Sequence, residues 1–274
     1  MLTPLQKFAT EIRIGAMRSF AARGFGHVGG SFSVADAIAA LYGSIMKFDP
    51  KNPSWEGRDR LVCSKGHAGP AIYAALALKG YFPYEWLETL NQPGTKLPSH
   101  CDKNLTPGID MTTGSLGQGA STAAGMAWAL RANGSDARIF LILGDGECNE
   151  GQVWEMAMLA SAKKLNNLIA FVDHNGKQLD GTTQEILDMR DIEGKFKAFD
   201  WYTQSINGND PDAIVAAVQK AKAEQGDKPA CIVLNTIKGA GVKEIEDTEF
   251  NHHINVSAEQ AERYTAELKA KLAQ

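Results

Sequence analysis

The sequence is poor in the features that mark membrane, disulfide-built and nucleic-acid-binding proteins. Its four cysteines, Cys63, Cys101, Cys148 and Cys231, stand far apart in 274 residues, with no C-x-x-C pair. That spacing offers neither a zinc site nor a disulfide framework, and it predicts free thiols in a reducing cytoplasm. No uninterrupted apolar run reaches the length needed to span a bilayer. The N-terminal stretch MLTPLQKFATEIRIGAMRSF spreads its charges through an amphipathic pattern and lacks the apolar centre of a signal peptide. Lys plus Arg number 28 against 32 Asp plus Glu, a net charge of −4, so no basic surface for nucleic acid is expected. No repeat, low-complexity tract or clear linker interrupts residues 1–250. What is present is an apolar fraction of 44%, enough for one large α/β domain with a terminal extension.

Helical spacing of apolar residues marks segments 3–22, 34–46 and 71–80, and 121–133 reads as a helix rich in small residues. Segment 91–119 is rich in Pro, Gly, Thr and His without a sustained period, and long loops of this kind are commonly functional. The clearest rhythm follows RLVCS (60–64). RIFLIL (138–143), LIAFVD (168–173) and ACIVLNT (230–236) are buried-strand patterns, separated by helical patterns at 151–165 and 211–224. Strands alternating with helices predict an α/β fold, a parallel sheet covered by helices on both faces. Ser257 and Gln260 have capping-box spacing and open a terminal helix.

The sharpest local question is LILGDGECNEG (141–151), where an apolar strand stops at an aspartate between two glycines. Ligands of open parallel sheets bind beyond the carboxyl ends of the strands. The helix start after GDG would offer free N–H groups to a phosphate, but the Asp145 carboxylate would repel that anion. A bridging cation resolves the conflict. Mg²⁺ takes hard oxygen ligands, with few from protein and the rest from phosphate and water. Asn175, at the end of the next strand and 30 residues after Asp145, can add an uncharged amide oxygen. The backbone carbonyl of Lys177 can add a third.

The stretch GDGECNEGQVWEMAMLASAKKLNNLIAFVDHNGKQLDG resembles the thiamine-diphosphate motif of transketolases. Four more segments resemble that family in order: GHVGGSFS (26–33), RLVCSKGHAGPAIYAALALKGY (60–81), LPSHCDKNLTPGIDMTTGSLGQG (97–119) and NTIKGAGV with its following NHH (235–253). The resemblance implies the thiamine-diphosphate-binding fold, with residues 1–256 as the diphosphate-binding domain and 257–274 as a C-terminal helix. It implies that Asp145, Asn175 and the Lys177 carbonyl hold Mg²⁺, and that His67, Gly146 and His252 contact the diphosphate. Leu116 would lie under the bent cofactor, and the Gly114 carbonyl would reach its aminopyrimidine. His27 and His100 would contact the donor sugar's carbonyl and first hydroxyl oxygens, and His252 would also serve in proton transfer. Glu150 and Glu155 resemble acids lying between paired active sites.

The family pattern is not matched everywhere. Val28 and Ser115 stand where proline is common, and Asn251 where an aromatic often precedes the last histidine. The family's glutamate that activates the cofactor, and its arginines for the sugar phosphate, lie on a following domain. After residue 257 only a short helix is expected. The implied protein is therefore the N-terminal subunit of a two-subunit transketolase, paired as two of each with a C-terminal subunit. Such an enzyme moves a two-carbon ketol unit between sugar phosphates. Alternatives are a transketolase for a branched or sulfonated sugar, another thiamine-dependent lyase or synthase, and a non-enzymatic scaffold. For residues outside these roles ordinary explanations serve. His174 and His253 would be exposed or locally hydrogen-bonded, Trp154 and Met156–Met158 would pack a core or interface, and Glu147 would be a solvated acid at a helix start.

Overall fold

A computed structural model describes residues 1–273. Among them, five strands form a parallel sheet in the order β2-β3-β4-β6-β5. They are β2 (Arg60–Cys63), β3 (Ile139–Gly144), β4 (Leu168–His174), β5 (Tyr202–Asn207) and β6 (Ala230–Asn235). Two short strands, β1 (Phe25–Gly26) and β7 (Ile254–Asn255), pair antiparallel away from the main sheet.

Period-two alternation explains why the strands read as continuous apolar runs. In β3, Phe140 and Ile142 enter one core while Ile139, Leu141 and Leu143 enter the other. The larger core lies under α1 (Pro4–Arg23), α2 (Val28–Ser33), α3 (Ala35–Ala40) and α4 (Gly69–Leu78). The other lies under α5 (Gln118–Ala132) and α6 (Gly151–Ala162), where alanines let the helices approach the sheet closely. Beyond β4 come α7 (Thr183–Leu187) and α8 (Ile192–Ala198), whose Ile192 and Phe196 complete the smaller core. Helix α9 (Pro211–Glu224) precedes β6 and serves the larger core, and α10 (Lys243–Asp247) leads to β7.

Helix ends follow local chemistry. Thr3 caps α1 with a capping box to Gln6, Pro4 occupies the first turn, and Gly24 ends the helix in the left-handed region at φ 85°. Ser257 and Gln260 form the expected capping box at the start of α11 (Ala258–Leu272), which packs against α1 through Ala261, Tyr264 and Leu268. Segment 34–46 is not one regular helix, because its last turn, Leu41–Ile45, widens to π geometry. The edge strand β5 does not show in the sequence as an apolar run; YTQSIN is half-polar because one side of the strand has no neighbour. All four cysteines are free and buried. Among the described residues no helix is long and apolar enough to cross a membrane.

Candidate active site

A cavity of about 370 Å³ opens at the carboxyl ends of the strands. One part of its wall comes from Gly114, Leu116, Asp145, Gly146, Asn175 and Lys177, and another from His27, His67, His100 and His252. The structure thus brings every residue singled out for cofactor, metal or donor into one cavity.

The oxygen-rich wall is built by strand register. Gly144 pairs with Asp173, so the β3 and β4 ends run level and Asp145 lies close to Asn175. Asp145 is buried and caps the 3₁₀ turn Gly146–Asn149. Its carboxylate accepts from the N–H of Gly146 at 2.8 Å and of Gly176 at 2.7 Å. Burial, and then the nearby Asp173, raise its pKa. The Asn175 side chain donates to Asp173 at 2.9 Å and its oxygen accepts from Lys177 N–H at 3.1 Å, which fixes the amide orientation. The Lys177 carbonyl accepts from the Lys238 ammonium at 3.0 Å. Space at Gly146 is tight, because a Cβ there would lie 2.9 Å from the Gln178 Cβ.

Asp173 anchors this wall. Its carboxylate accepts from Lys65 at 2.5 Å, Ser33 at 2.6 Å and Thr236 at 2.5 Å. Ser33 belongs to α2, while Lys65 and Thr236 follow β2 and β6, so one buried anion ties three segments around the cavity.

Glu147 corrects the sequence reading. It is not a solvated acid at a helix start but is only 3% exposed. Its carboxylate accepts from the Ser64 hydroxyl, from Gly117 N–H at 2.8 Å and from Gly144 N–H at 3.0 Å. It therefore locks the GDG turn to the GSLGQG turn, which carries Gly114 and Leu116. Burial raises its pKa despite those bonds. Both turns are rich in glycine, so their free N–H groups need an acceptor, and a buried acid beside them supplies it.

The histidine wall is held by the β1–β7 pair. His27 follows β1, and His252 and His253 precede β7. Gly29 N–H donates to the Asn251 carbonyl at 3.1 Å, and a Cβ on Gly29 would lie 2.3 Å from that oxygen, so only glycine permits the approach. The His27 ring lies 5.4 Å from His67, 5.5 Å from His100 and 5.3 Å from His252, between centroids. Burial, followed by His253, His100 and Lys238, lowers the His27 pKa to about 4. Burial and Lys238 lower that of His252 to about 3. His67 is pushed down by burial and by Lys65. All three are neutral at pH 7. Of the adjacent pair, His252 lines the cavity and lies 3.2 Å from the Lys238 ammonium, while His253 is exposed.

Lys65, Lys238, Gln178 and Leu179 also line the cavity but were not picked out from the sequence. The two lysines lie inside the KGHAG and TIKGAG segments, and a lysine in a glycine loop at a strand end was the available signal. Lys238 is 4% exposed, and its pKa falls to about 8 through burial and the Lys65 charge. Glu150 lines the cavity, whereas Glu155 is exposed on α6. Trp154 packs against Phe196 and Met156 is buried, but Met158 is 51% exposed. His174 lies 3.3 Å from Asn235, the local hydrogen bond expected of it.

The donor set fits Mg²⁺ shared with a diphosphate: one carboxylate, one amide oxygen and one carbonyl leave charge and coordination positions for phosphate oxygens. The ammonium groups of Lys65 and Lys238 on the same wall add positive potential for an anion.

Residues 5–272 match the family model described as transketolase, thiamine diphosphate binding domain. The chain belongs to the transketolase family. It is 54% identical over 265 residues to the 6-deoxy-6-sulfo-D-fructose transketolase subunit SqwG of Clostridium sp. (strain MSTE9), covering 97% of this chain and 96% of that one. It is 37% identical to an apulose-4-phosphate transketolase subunit from Actinobacillus succinogenes, covering 89% and 88% respectively. Among solved structures, the transketolase from Leishmania mexicana superposes with a TM-score of 0.89 at 31% identity. That match covers 100% of this chain and 42% of the other, so this transketolase-family chain spans under half of the solved enzyme.

Proposed function

We propose that this chain is the cofactor-binding subunit of a transketolase, which moves a two-carbon ketol unit from a ketose to an aldose. The observation that carries the proposal is the single cavity shared by Asp145, Asn175, the Lys177 carbonyl and four histidines. In this reading Asp145, Asn175 and the Lys177 carbonyl would hold Mg²⁺, and His67, His252 and Gly146 would contact the diphosphate. Leu116 supports the cofactor and the Gly114 carbonyl accepts from its aminopyrimidine. When bound, thiamine diphosphate supplies the carbanion-stabilising chemistry. His27 and His100 orient the donor's carbonyl and first hydroxyl. With its pKa near 4, His27 offers one donor and one acceptor nitrogen at pH 7 without adding charge. His252 is also neutral and can accept or pass a proton at its free ring nitrogen.

Residues 1–256 act as the diphosphate domain in this proposal, with 257–274 as a terminal helix. A separately encoded C-terminal subunit completes the enzyme, as two copies of each, in the cytoplasm, with sugar phosphates as substrates. Support comes from relatives named as subunits that this chain nearly spans, set against 42% of the solved Leishmania enzyme. A narrower reading, a transketolase for a sulfonated sugar, is favoured by the higher identity to the sulfofructose subunit, 54% against 37% for the apulose-phosphate one.

The test is ketol transfer by the purified chain with thiamine diphosphate and Mg²⁺, alone and with its partner, using phosphorylated and sulfonated ketoses. Transfer should require both chains. Robust turnover by the lone chain would overturn the subunit reading. Absence of transfer from every ketose in the complex would overturn the reaction.

A further inference from the structure

The β1–β7 ladder pairs Phe25 with Asn255 and Gly26 with Ile254. One step further in the same register sets His27 opposite His253. The bond from Gly29 N–H to the Asn251 carbonyl keeps that register beyond them. Directly opposed residues of an antiparallel pair bring their side chains into contact. The two imidazoles do meet, with centroids 4.9 Å apart at 80°. His27 lines the cavity, whereas His253 is exposed and does not. Phe25 lies 5.2 Å from His253, and the Arg23 guanidinium sits over the Phe25 ring, 4.6 Å from its centroid. The ladder thus continues the histidine wall outward into an exposed imidazole.

We propose that His253 is a substrate-contacting residue that receives the anionic end of the ketose donor. The inference rests on the transketolase reading, in which His27 and His100 hold the donor's carbonyl end. The remaining carbons then extend toward the opening, past the ring that His27 touches. A phosphate or sulfonate there presents terminal oxygens that accept hydrogen bonds, and the imidazole N–H donates one. The ladder fixes the spacing between the two imidazoles, so the wall discriminates donors by reach as well as by charge.

The test uses the two-subunit enzyme with His253→Gly and His253→Gln. Three donors are compared: a ketose phosphate, a 6-sulfonated ketose and hydroxypyruvate, which has no far end. For His253→Gly, kcat/KM for the donors with a distal phosphate or sulfonate relative to hydroxypyruvate, whose carboxylate is on the carbonyl carbon, should fall about tenfold, the lower range for a lost hydrogen bond to a charged group. The loss should appear in KM, and His253→Gln should restore part of it. A fall for the phosphate donor alone, or for the sulfonate alone, supports the proposal and tells which anion the wall fits. An unchanged ratio, or an equal loss with hydroxypyruvate, overturns it. If the unaltered enzyme uses no ketose at all, the transketolase reading itself fails and this proposal falls with it.

Discussion

Two buried aspartates end neighbouring strands, and their surroundings are opposite in kind. Asp173 is fully buried and its carboxylate is engaged by Lys65, Ser33, Thr236 and Asn175. Burial alone would raise its pKa, but the Lys65 ammonium and the hydroxyl donors hold it below the usual carboxylate range. Asp145, one position beyond the register partner of Asp173, has two backbone N–H donors and a pKa raised by burial and by Asp173. The first carboxylate is neutralised by its own protein and serves as a strut. The second keeps lone pairs for the cavity, and its burial is only partly offset by its two N–H donors. One residue type at adjacent strand ends thus meets two surroundings, decided by which donors the rest of the chain delivers.

Substitutions should break this contrast in opposite ways. The largest expected effect is on stability: Asp173→Ala strands the Lys65 ammonium in the interior and should cost about 3–5 kcal/mol, read by urea unfolding. Adding Lys65→Met should recover most of that loss, since no buried charge then remains unpaired. A loss below about 1 kcal/mol, the range of exposed pairs, would show that Asp173 is not the strut described. Asp145→Ala should cost less stability than Asp173→Ala, about 1–2 kcal/mol for the two backbone donors it leaves unpaired, while weakening cofactor binding about 10- to 100-fold or more, by analogy with losses around metal sites. Calorimetric titration of thiamine diphosphate with Mg²⁺ in the assembled enzyme measures it, and unchanged affinity would remove Asp145 from the metal site.

The smallest effect concerns protons. His27 has a pKa of about 4 in the folded chain against 6.5 for an ordinary histidine. Between those values the unfolded chain binds a proton that the folded chain refuses, so stability falls as pH drops from about 6.5 toward 4. His27→Asn should make that slope shallower in melting curves, with His252 and His67, whose pKa values are also lowered, supplying the remainder. An equally steep slope in the variant would place the proton uptake elsewhere.

Much of the fold was legible because β3, β4 and β6 are buried on both faces and read as unbroken apolar runs. β5 was not, since an edge strand with exposed positions needs no such run. The members of the candidate site were legible through short motifs, but their mutual support was not. Glu147 was misread because its partners, Ser64 and Gly117, lie 83 and 30 residues away, beyond any local rule about helix starts. His253 is exposed as expected, but its contact with His27 depends on the register of two short strands far apart in sequence and could not be read from either segment alone. Lys238 was passed over for the same reason, since its partners Lys177 and His252 come from separate loops.

The β1–β7 ladder also sets an order of events. It joins Phe25 to Asn255, while His67, His100 and Asp145 sit on segments made long before residue 255. Contacts between distant positions form only after a large loop has closed. A chain still being synthesised can therefore build the strands, the Asp173 strut and the GDG turn while His27 has nothing opposite it. The histidine wall closes only when residues 251–255 arrive, after every other segment that lines the cavity has been made.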